Sequence, residues 1–417
     1  MIFSFKHKLT IFLFFEAILL SPYFSSWLPM AYGIPVGPII RGGGIVIFYI
    51  VFLYPIIFSP KQTRIGRFKL FIILLFLGSV LVAITNEMGN VLQIIIGLHA
   101  FIFYPFTFIV LYLYMLRLNI AERKKTIDFL ISLISVNLIL TSLIAITDVI
   151  SGGEFTLLIG YDPHYGGDGF SLINRYYDIV RANGGFADAL AFGYFMVIGI
   201  VLSLYQLKTT LRVKDSYYYI IIFTLCLIAT FLSITRGAIA AGLCIFVFYA
   251  IRNKRMLILM SLLFCFLTPI LSIKYYDVFV GRFTDSDAGS SQSTKLRYDM
   301  AIDSINFLAK EPMGVGIGTQ GGGNVLSEHD KRINTDNFIF HAFIELGVLG
   351  GISYYMFILL QFFLAYNRYN IMAYCSMSFL FLLSIMLSSS MQSGLLAVSF
   401  WLMMLIVKFD VKRERYA

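Results

Sequence analysis

The sequence predicts an all-α, polytopic integral membrane protein with about twelve transmembrane helices. Of its 417 residues, 59% are hydrophobic and only 13% are charged, whereas a soluble domain carries about 25% charged residues. The apolar residues also occur in runs of about 17–25, which are long enough to cross a bilayer as helices. This composition excludes a water-soluble enzyme and a disordered chain.

The individual helices follow from these runs. The first run comes after Lys6 and Lys8, as in a signal peptide. It has no small-residue cleavage site and continues through Trp27 and Pro29, so we interpret it as a membrane helix. The run 237–251 is short for a full crossing. The predicted spans are approximately 9–29, 39–59, 68–84, 91–117, 126–150, 186–206, 216–232, 237–251, 256–273, 337–365, 370–388 and 391–408.

The distribution of Lys and Arg predicts the orientation. Of the 32 basic residues, 21 lie in the two termini and in alternate loops. Basic residues are retained on the cytoplasmic side, so both termini are predicted to be cytoplasmic. The net charge of +9 therefore reflects topology, and we predict no binding of nucleic acid. All four Cys lie inside apolar runs, which indicates neither a disulfide framework nor a metal cluster.

Two long loops, 151–185 and 274–336, lie on the opposite, outer side and could form a site there. In the first loop, tyrosines such as Tyr177 could stack on sugar rings or could belong to a membrane-interface belt. Arg175 and Arg181 are harder to explain as interface residues, because the positive-inside bias disfavours them on this side.

The second loop is predicted to contain a short amphipathic helix on the membrane surface, which would carry Arg297 and end at Glu311-Pro312. A GxGxG pattern follows at 314–318, but no strand precedes it, so a nucleotide loop is not expected. A flexible turn that brings backbone close to a ligand is expected instead. The apolar residues that define the helix are Leu296, Met300, Ile302, Ile305 and Leu308.

Several polar residues lie at the outer ends of predicted helices. Arg236 opens one of them, where a guanidinium marks a substrate path or reaches into the lipid headgroups. Asn337, His341 and Glu345 share one helix face, with Asp336 at or near the N-cap. His341 and Glu345 could take part in chemistry or form a buried pair that ties helices together. The glycines that follow are expected to allow close helix packing.

In this order, these features resemble the O-antigen polymerase and O-antigen ligase superfamily of the bacterial envelope. The matching segments are Thr235-Arg236-Gly237, Arg297 on a short helix, EPMGVGIGT at 311–319 and TDNFIFHAFIELGVLG at 335–350. Ligases of the superfamily carry His directly before the Asn, whereas Asp336 stands there in this chain. The sequence therefore looks like the polymerase branch, with a GT-C-like fold. Arg181 looks like a further Arg position of the family.

The resemblance implies transfer of a growing glycan from undecaprenyl pyrophosphate to a new lipid-linked repeat unit. The reaction would take place at the periplasmic face of the inner membrane, with a separate chain-length regulator as a partner and without a metal or cofactor. Arg236 and Arg297 would hold the pyrophosphate and Arg181 would assist, because Arg binds phosphate oxygens in a bidentate way. Asn337, Arg175 and Tyr177 would also contact substrate. Asp336 is the first choice for the general base, followed by His341 and Glu345.

Two alternatives remain open at this point. An O-antigen ligase, which transfers finished glycan to the lipid A core, would differ mainly in the residue before Asn337 and in its acceptor. A lipid-linked oligosaccharide flippase or another transporter usually shows internal repeats and polar groups near the midplane. Here the polar residues gather at one face, and no repeat relates the two halves.

Overall fold

The computed structural model describes most of the chain, and the described part is almost entirely helical. Its β-structure is a pair of two-residue antiparallel strands, β1 (Arg175–Tyr176) and β2 (Ile179–Val180). The described residues are 4–32, 36–58, 66–85, 91–155, 175–176, 179–186, 188–209, 213–251, 288–320, 337–387, 391 and 393–410. The prediction of an all-α membrane protein is confirmed.

Thirteen α-helices make up the described part. The first six are α1 (Phe5–Tyr32), α2 (Val36–Ile57), α3 (Arg67–Thr85), α4 (Val91–Leu98), α5 (Tyr104–Arg117) and α6 (Ile120–Ile150). A π-helical turn, His99–Phe103, joins α4 to α5, and a 3-10 turn, Arg368–Asn370, precedes α12. The remaining helices are α7 (Ala189–Thr209), α8 (Val213–Leu232), α9 (Arg236–Ile251), α10 (Ala288–Lys310), α11 (Phe338–Ala365), α12 (Ile371–Leu387) and α13 (Gly394–Phe409).

These helices coincide with eleven of the twelve predicted spans, and the twelfth, 256–273, lies outside the described residues. Within the described part, seven helical segments are long and apolar enough to cross a membrane. The part Ser216–Leu232 of α8, together with α9 and α13, forms shorter apolar helices. The count of twelve spans therefore stays a prediction.

Helix α7 lies at the centre of the bundle. Its residues are buried along nearly the whole length, and it packs against α6, α8, α9, α12 and α13. By contrast, α2 and α3 bury less than a quarter of their apolar segments inside the protein. A helix that is apolar all round fits both positions, since a lipid-facing surface and a protein core favour the same side chains.

The bundle has two chemically different ends. At one, which we term the basic end, Arg117 Nη1 donates to the Pro55 carbonyl at 2.6 Å and Lys408 Nζ donates to the Tyr366 carbonyl at 2.9 Å. At the other, which we term the site end, the segment 181–186 meets the turn between α8 and α9, where Ala182 N donates to Leu232 O at 2.9 Å. The polar residues that sequence analysis singles out gather at the site end.

Helix α10 differs from the predicted short helix, because it begins at Ala288 inside the Ser/Gly stretch. Of the predicted apolar set, Leu296, Ile302 and Ile305 are exposed, while Ser304 is buried against the rest of the protein. The apolar spacing thus marks the helix, but the side that packs on the bundle is not the most apolar one.

Candidate functional site at one end of the bundle

A strained turn places Arg236 at the start of α9. Ile234, a β-branched residue, has φ of +50°, a conformation that costs about 1–3 kcal/mol and persists only where the surroundings hold it. Here Ile234 N donates to Phe231 O at 3.0 Å, and Thr235 Oγ1 donates to Ala189 O at 3.2 Å. The direction in which Arg236 leaves the turn is therefore fixed by the fold.

Arg181 is hydrogen-bonded to the same turn. Its Nε donates to Ser233 O at 3.0 Å and its Nη2 to Thr235 Oγ1 at 3.2 Å. The β1–β2 pair ends directly before Arg181, with Arg175 opposite Val180 in the register. The structure thus brings two predicted arginines, Arg181 and Arg236, to one turn although they are far apart in the sequence.

Arg297 and Asn337 line a common cavity of about 240 Å³ between α10, α11 and α12. Arg297 lies on the exposed side of α10, and Asn337 Nδ2 donates to the Met386 carbonyl at the end of α12. The other lining residues are Tyr298, Met300, Ala301, Ser304, Phe340, Met386 and Leu387. The cavity therefore has an arginine and an amide on largely apolar walls.

Tyr194 on α7 links the cavity to the turn, and sequence analysis misses it. The Arg297 charge acts on Tyr194, and a Cβ on Gly237 would overlap the Tyr194 hydroxyl and touch Leu387. Arg236 is the neighbour of Gly237, so the turn and the cavity share a wall. A single tyrosine inside an apolar helix gives no sequence signal that could have identified it.

Asn337, the neighbour of Asp336, is the N-cap of α11. Its Oδ1 accepts from Ile339 N at 2.7 Å, which is the usual contact of an N-cap side chain. Asn337 therefore turns towards α12 and the cavity, whereas the predicted common face with His341 and Glu345 would have placed it beside them. The N-cap lies outside the regular helix, so the helical spacing does not apply to it.

His341 and Glu345 form a buried pair, in which His341 Nε2 lies 3.0 Å from Glu345 Oε1. Glu345 has no exposed surface and His341 has 2%. The imidazole packs against two rings, with centroids 5.8 Å from Phe101 and 5.7 Å from Phe338. The pair packs as part of the protein interior.

Glu345 also holds the Gly-rich loop, which we define as residues 314–320. Its Oε2 accepts from Gly318 N at 2.6 Å and its Oε1 from Gln320 N at 2.8 Å. Val315 N donates to Ile344 O at 2.9 Å, and Ile317 N donates to Ala83 O at 3.3 Å. The expected flexible turn is instead a loop whose backbone donors are bound by the protein.

Some predicted residues are not placed. Asp336 and Tyr177 lie outside the described residues, and only the backbone of Arg175 is described. Among the described residues, no three His, Cys, Asp or Glu side chains come together in a way that could hold a metal. The expectation that the reaction uses no metal stays a prediction.

Comparison with known proteins identifies the family. Residues 221–355 match a family model described as O-antigen ligase, and this segment contains the turn at 233–236, Arg297, the Gly-rich loop and the His341–Glu345 pair. An O-antigen polymerase of Salmonella muenchen is 37% identical over 348 residues, which cover 79% of this chain and 85% of the relative. The chain belongs to the O-antigen polymerase family. No solved structure matches it, so the GT-C-like fold stays a prediction.

Family membership has direct consequences. The protein is an integral inner-membrane protein with a glycosyltransferase-type polymerase activity. The polymerase is similar over most of both chains, whereas the model described as a ligase covers the part from α8 to α11. The polymerase prediction is thus confirmed at the level of the family, and the flippase alternative has no support among these relatives.

Proposed function

We propose that this protein joins undecaprenyl-pyrophosphate-linked oligosaccharide units at the periplasmic face of the inner membrane. An acceptor hydroxyl of one lipid-linked unit attacks the anomeric carbon of the glycan on another. A new glycosidic bond forms, the bond from that carbon to the pyrophosphate oxygen breaks, and undecaprenyl pyrophosphate leaves. The acceptor proton passes to a general base. The observation that carries the proposal is the grouping of Arg181, Arg236 and Arg297 around one end of α7.

The arginines suit a pyrophosphate leaving group. Negative charge develops on the leaving oxygen as the glycosidic carbon separates from it, and fixed donors lower the energy of that state. Arg236 leaves a turn that Arg181 braces, and Arg297 lines the adjacent cavity. We assign Arg236 and Arg297 to the pyrophosphate and Arg181 to a supporting position. Arg175 and Tyr177, which come shortly before Arg181 in the sequence, would contact sugars.

The general base is assigned by elimination among the predicted carboxylates and His341. Both oxygens of Glu345 accept backbone hydrogen bonds, and Oε1 also contacts His341. Both Glu345 oxygens are thus already engaged with the protein, and Glu345 and His341 are almost fully buried. Asp336 precedes Asn337, which lines the cavity. We therefore propose Asp336 as the base and the His341–Glu345 pair as its support.

The proposed orientation follows from the two ends of the bundle. The basic end carries Arg117, Arg123 and Lys408, which hydrogen-bond to backbone carbonyls there. Retention of basic residues on the cytoplasmic side would place both chain termini there and the site end in the periplasm. Loops 151–185 and 274–336 would then face the substrates, and a chain-length regulator would meet the protein from the same side.

A gel of surface polysaccharide tests the function directly. Cells that lack the gene should lose the ladder of long chains while single repeat units still reach the lipid core, and a plasmid-borne copy should restore the ladder. Absence of any unit on the core would contradict a polymerase. Flipping and ligation would then be separated by the membrane face on which the lipid-linked unit accumulates.

The same gel tests the role of Arg236. We expect Arg236→Lys to abolish long chains at unchanged protein level, because an ammonium group cannot reproduce the bidentate contact of a guanidinium with phosphate. Arg368→Lys is the matched control, since Arg368 is exposed at the basic end. Normal long chains in Arg236→Lys would remove Arg236 from the site.

A further inference from the structure

A further arginine, Arg41 in α2, lies apart from Arg181, Arg236 and Arg297, and the sequence reasoning did not single it out. Arg41 is half-buried one turn after the start of α2. Its Nε is buried without a hydrogen-bond partner among the described residues, none of whose carboxylates pairs with it. A guanidinium inside a membrane segment costs a few kcal/mol and usually marks a functional position.

Two further polar groups face Arg41. The rings of His99 and Tyr104 stack with their centroids 6.1 Å apart, and both side chains lie within reach of the Arg41 charge. His99 is only 6% exposed, and its Nδ1 lacks a hydrogen-bond partner in the described part of the chain. A buried polar atom of this kind is costly unless a ligand or water satisfies it.

The backbone around this group leaves space. His99 opens the π-helical turn His99–Phe103, and such turns within α-helices are frequent at functional sites. On α2, Arg41 is followed by three glycines, and a Cβ at Gly42 or Gly43 would meet nothing within 4 Å. Gly44, in contrast, packs against Ala17 of α1. Helix α2 therefore has no neighbouring atoms at the glycines directly after Arg41, and it packs against α1 from Gly44 onwards.

The group lies at the site end, on the other side of the start of α11 from the Arg297 cavity. Asn337 faces α12 and the cavity, whereas Phe338 and His341 contact Phe101 of the π-helical turn. His99 is two residues from Phe101, so the turn separates Arg41 from His341. The chain that begins α11 thus runs between two separate cationic groups.

We propose that Arg41, His99 and Tyr104 bind the pyrophosphate of the acceptor, the second lipid-linked unit. This rests on the proposed function, in which two such lipids must be bound at once. The first pyrophosphate belongs to the Arg236 and Arg297 group, where it leaves. The acceptor keeps its pyrophosphate, so a separate anchor is needed to hold its sugar beside the start of α11. An Arg, an imidazole and a phenol supply the donors that a phosphate group accepts.

Binding stoichiometry tests the proposal. The full-length protein is placed in nanodiscs of phosphatidylcholine, and undecaprenyl pyrophosphate is the probe in native mass spectrometry. We expect two bound lipids in the wild type, one in Arg41→Gln, one in Arg297→Gln and none in the double variant. The lipid that remains in each single variant shows that the protein is folded.

Three outcomes would overturn the proposal. In the first, the wild type binds one lipid, and this lipid is lost in Arg297→Gln but kept in Arg41→Gln. This result would contradict a second site at Arg41 and would leave the proposed function intact. A wild type that binds none removes both. Displacement of the Arg41-dependent lipid by an equal concentration of phosphatidylglycerol would make this a site for ordinary phospholipid headgroups.

A kinetic measurement distinguishes the two substrates. The donor is a lipid-linked unit whose acceptor hydroxyl is blocked, and the acceptor is an unblocked unit. Arg41→Lys should raise the KM for the acceptor by about 10- to 100-fold, as expected for one lost charged hydrogen bond. The KM for the donor should not change. An equal rise in both constants would show a general loss of structure and would contradict a dedicated acceptor anchor.

Discussion

At the scale of single residues, Glu345 shows how a group that looks catalytic can serve the structure. It is a carboxylate without exposed surface, and it accepts from Gly318 N, Gln320 N and His341. A buried charge is tolerated when it is paired and its lone pairs are satisfied. The arrangement ties α11 to the Gly-rich loop, and both carboxylate oxygens already accept hydrogen bonds from the protein.

This arrangement predicts the effect of Glu345→Gln. The amide nitrogen of Gln would face one of the two backbone donors, so two donors would oppose each other in a buried site. We expect a loss of about 2–4 kcal/mol in stability, measured as a lower midpoint of thermal unfolding in detergent. Glu311→Gln, at an exposed position beside the same loop, should leave the midpoint unchanged. An unaltered midpoint in Glu345→Gln would mean that the carboxylate does not hold the loop.

The assignment of the base makes a second prediction at this scale. If Asp336 accepts the acceptor proton, Asp336→Asn should slow chain extension by about 10²–10⁴-fold without changing the amount of folded protein. His341→Ala should instead lower both stability and activity, because its ring and hydrogen bond belong to the packed interior. Rates of extension with purified lipid-linked units would decide. An active Asp336→Asn together with a folded but inactive His341→Ala would reverse the assignment.

The residues of the site were only partly predictable. Arg181, Arg236 and Arg297 stand out because positive charge is rare on this side of a membrane protein. Their grouping depends on contacts such as that of Arg181 with Ser233, 52 residues away, which no local pattern encodes. Tyr194 lies inside an apolar helix, so its type and spacing gave no signal. Arg41 and His99 are polar residues inside the predicted spans 39–59 and 91–117, a signal that the sequence reasoning did not use.

At the scale of elements, the kink in α11 is the clearest departure from the predicted helix. The sequence suggests that Gly347 allows close helix packing, but the residue breaks the helix with φ of 75° and ψ of 175°. Val348 N donates to Pro312 O at 2.9 Å, so the kink receives the segment that leads into the Gly-rich loop. A pattern of small residues cannot distinguish packing of a second helix from packing of a loop.

The kink predicts different effects for two glycine substitutions. Gly347 has a backbone conformation that is essentially restricted to glycine, and a Cβ there would lie 2.6 Å from Met313 O. Gly347→Ala should therefore destabilise the protein by about 1–3 kcal/mol or more. Gly78→Ala, where a Cβ would meet nothing within 4 Å, should be neutral or stabilise α3 by up to about 1 kcal/mol. Thermal unfolding of both variants measures this, and equal midpoints would rule out a strained role for Gly347.

At the scale of the whole molecule, helix positions were predictable because the length of an apolar run is a property of the sequence alone. Successive membrane helices run in opposite directions, so the direction of each helix also follows from its place in the chain. Helix α9 begins with Arg236 at the site end, and α10 lies at that same end beside the start of α11. Since α9 runs away from the site end, we expect the chain to return across the bundle between α9 and α10.

This return leads to the last prediction, a single crossing within 252–287, most of it in the apolar run 256–273. Alkaline phosphatase is active only in the periplasm, so a fusion after Ile251 should be inactive and one after Ala288 active. Fusions after Asn119 and Gly153 are the matched pair for α6, whose ends Ile120 and Ile150 lie on opposite sides of the predicted membrane. They should be inactive and active, respectively. Equal activity at 251 and 288 would mean that no span lies between them and that the two termini are on opposite sides of the membrane. The reverse pattern at every position would place the arginines of both proposed sites in the cytoplasm, away from the proposed substrates.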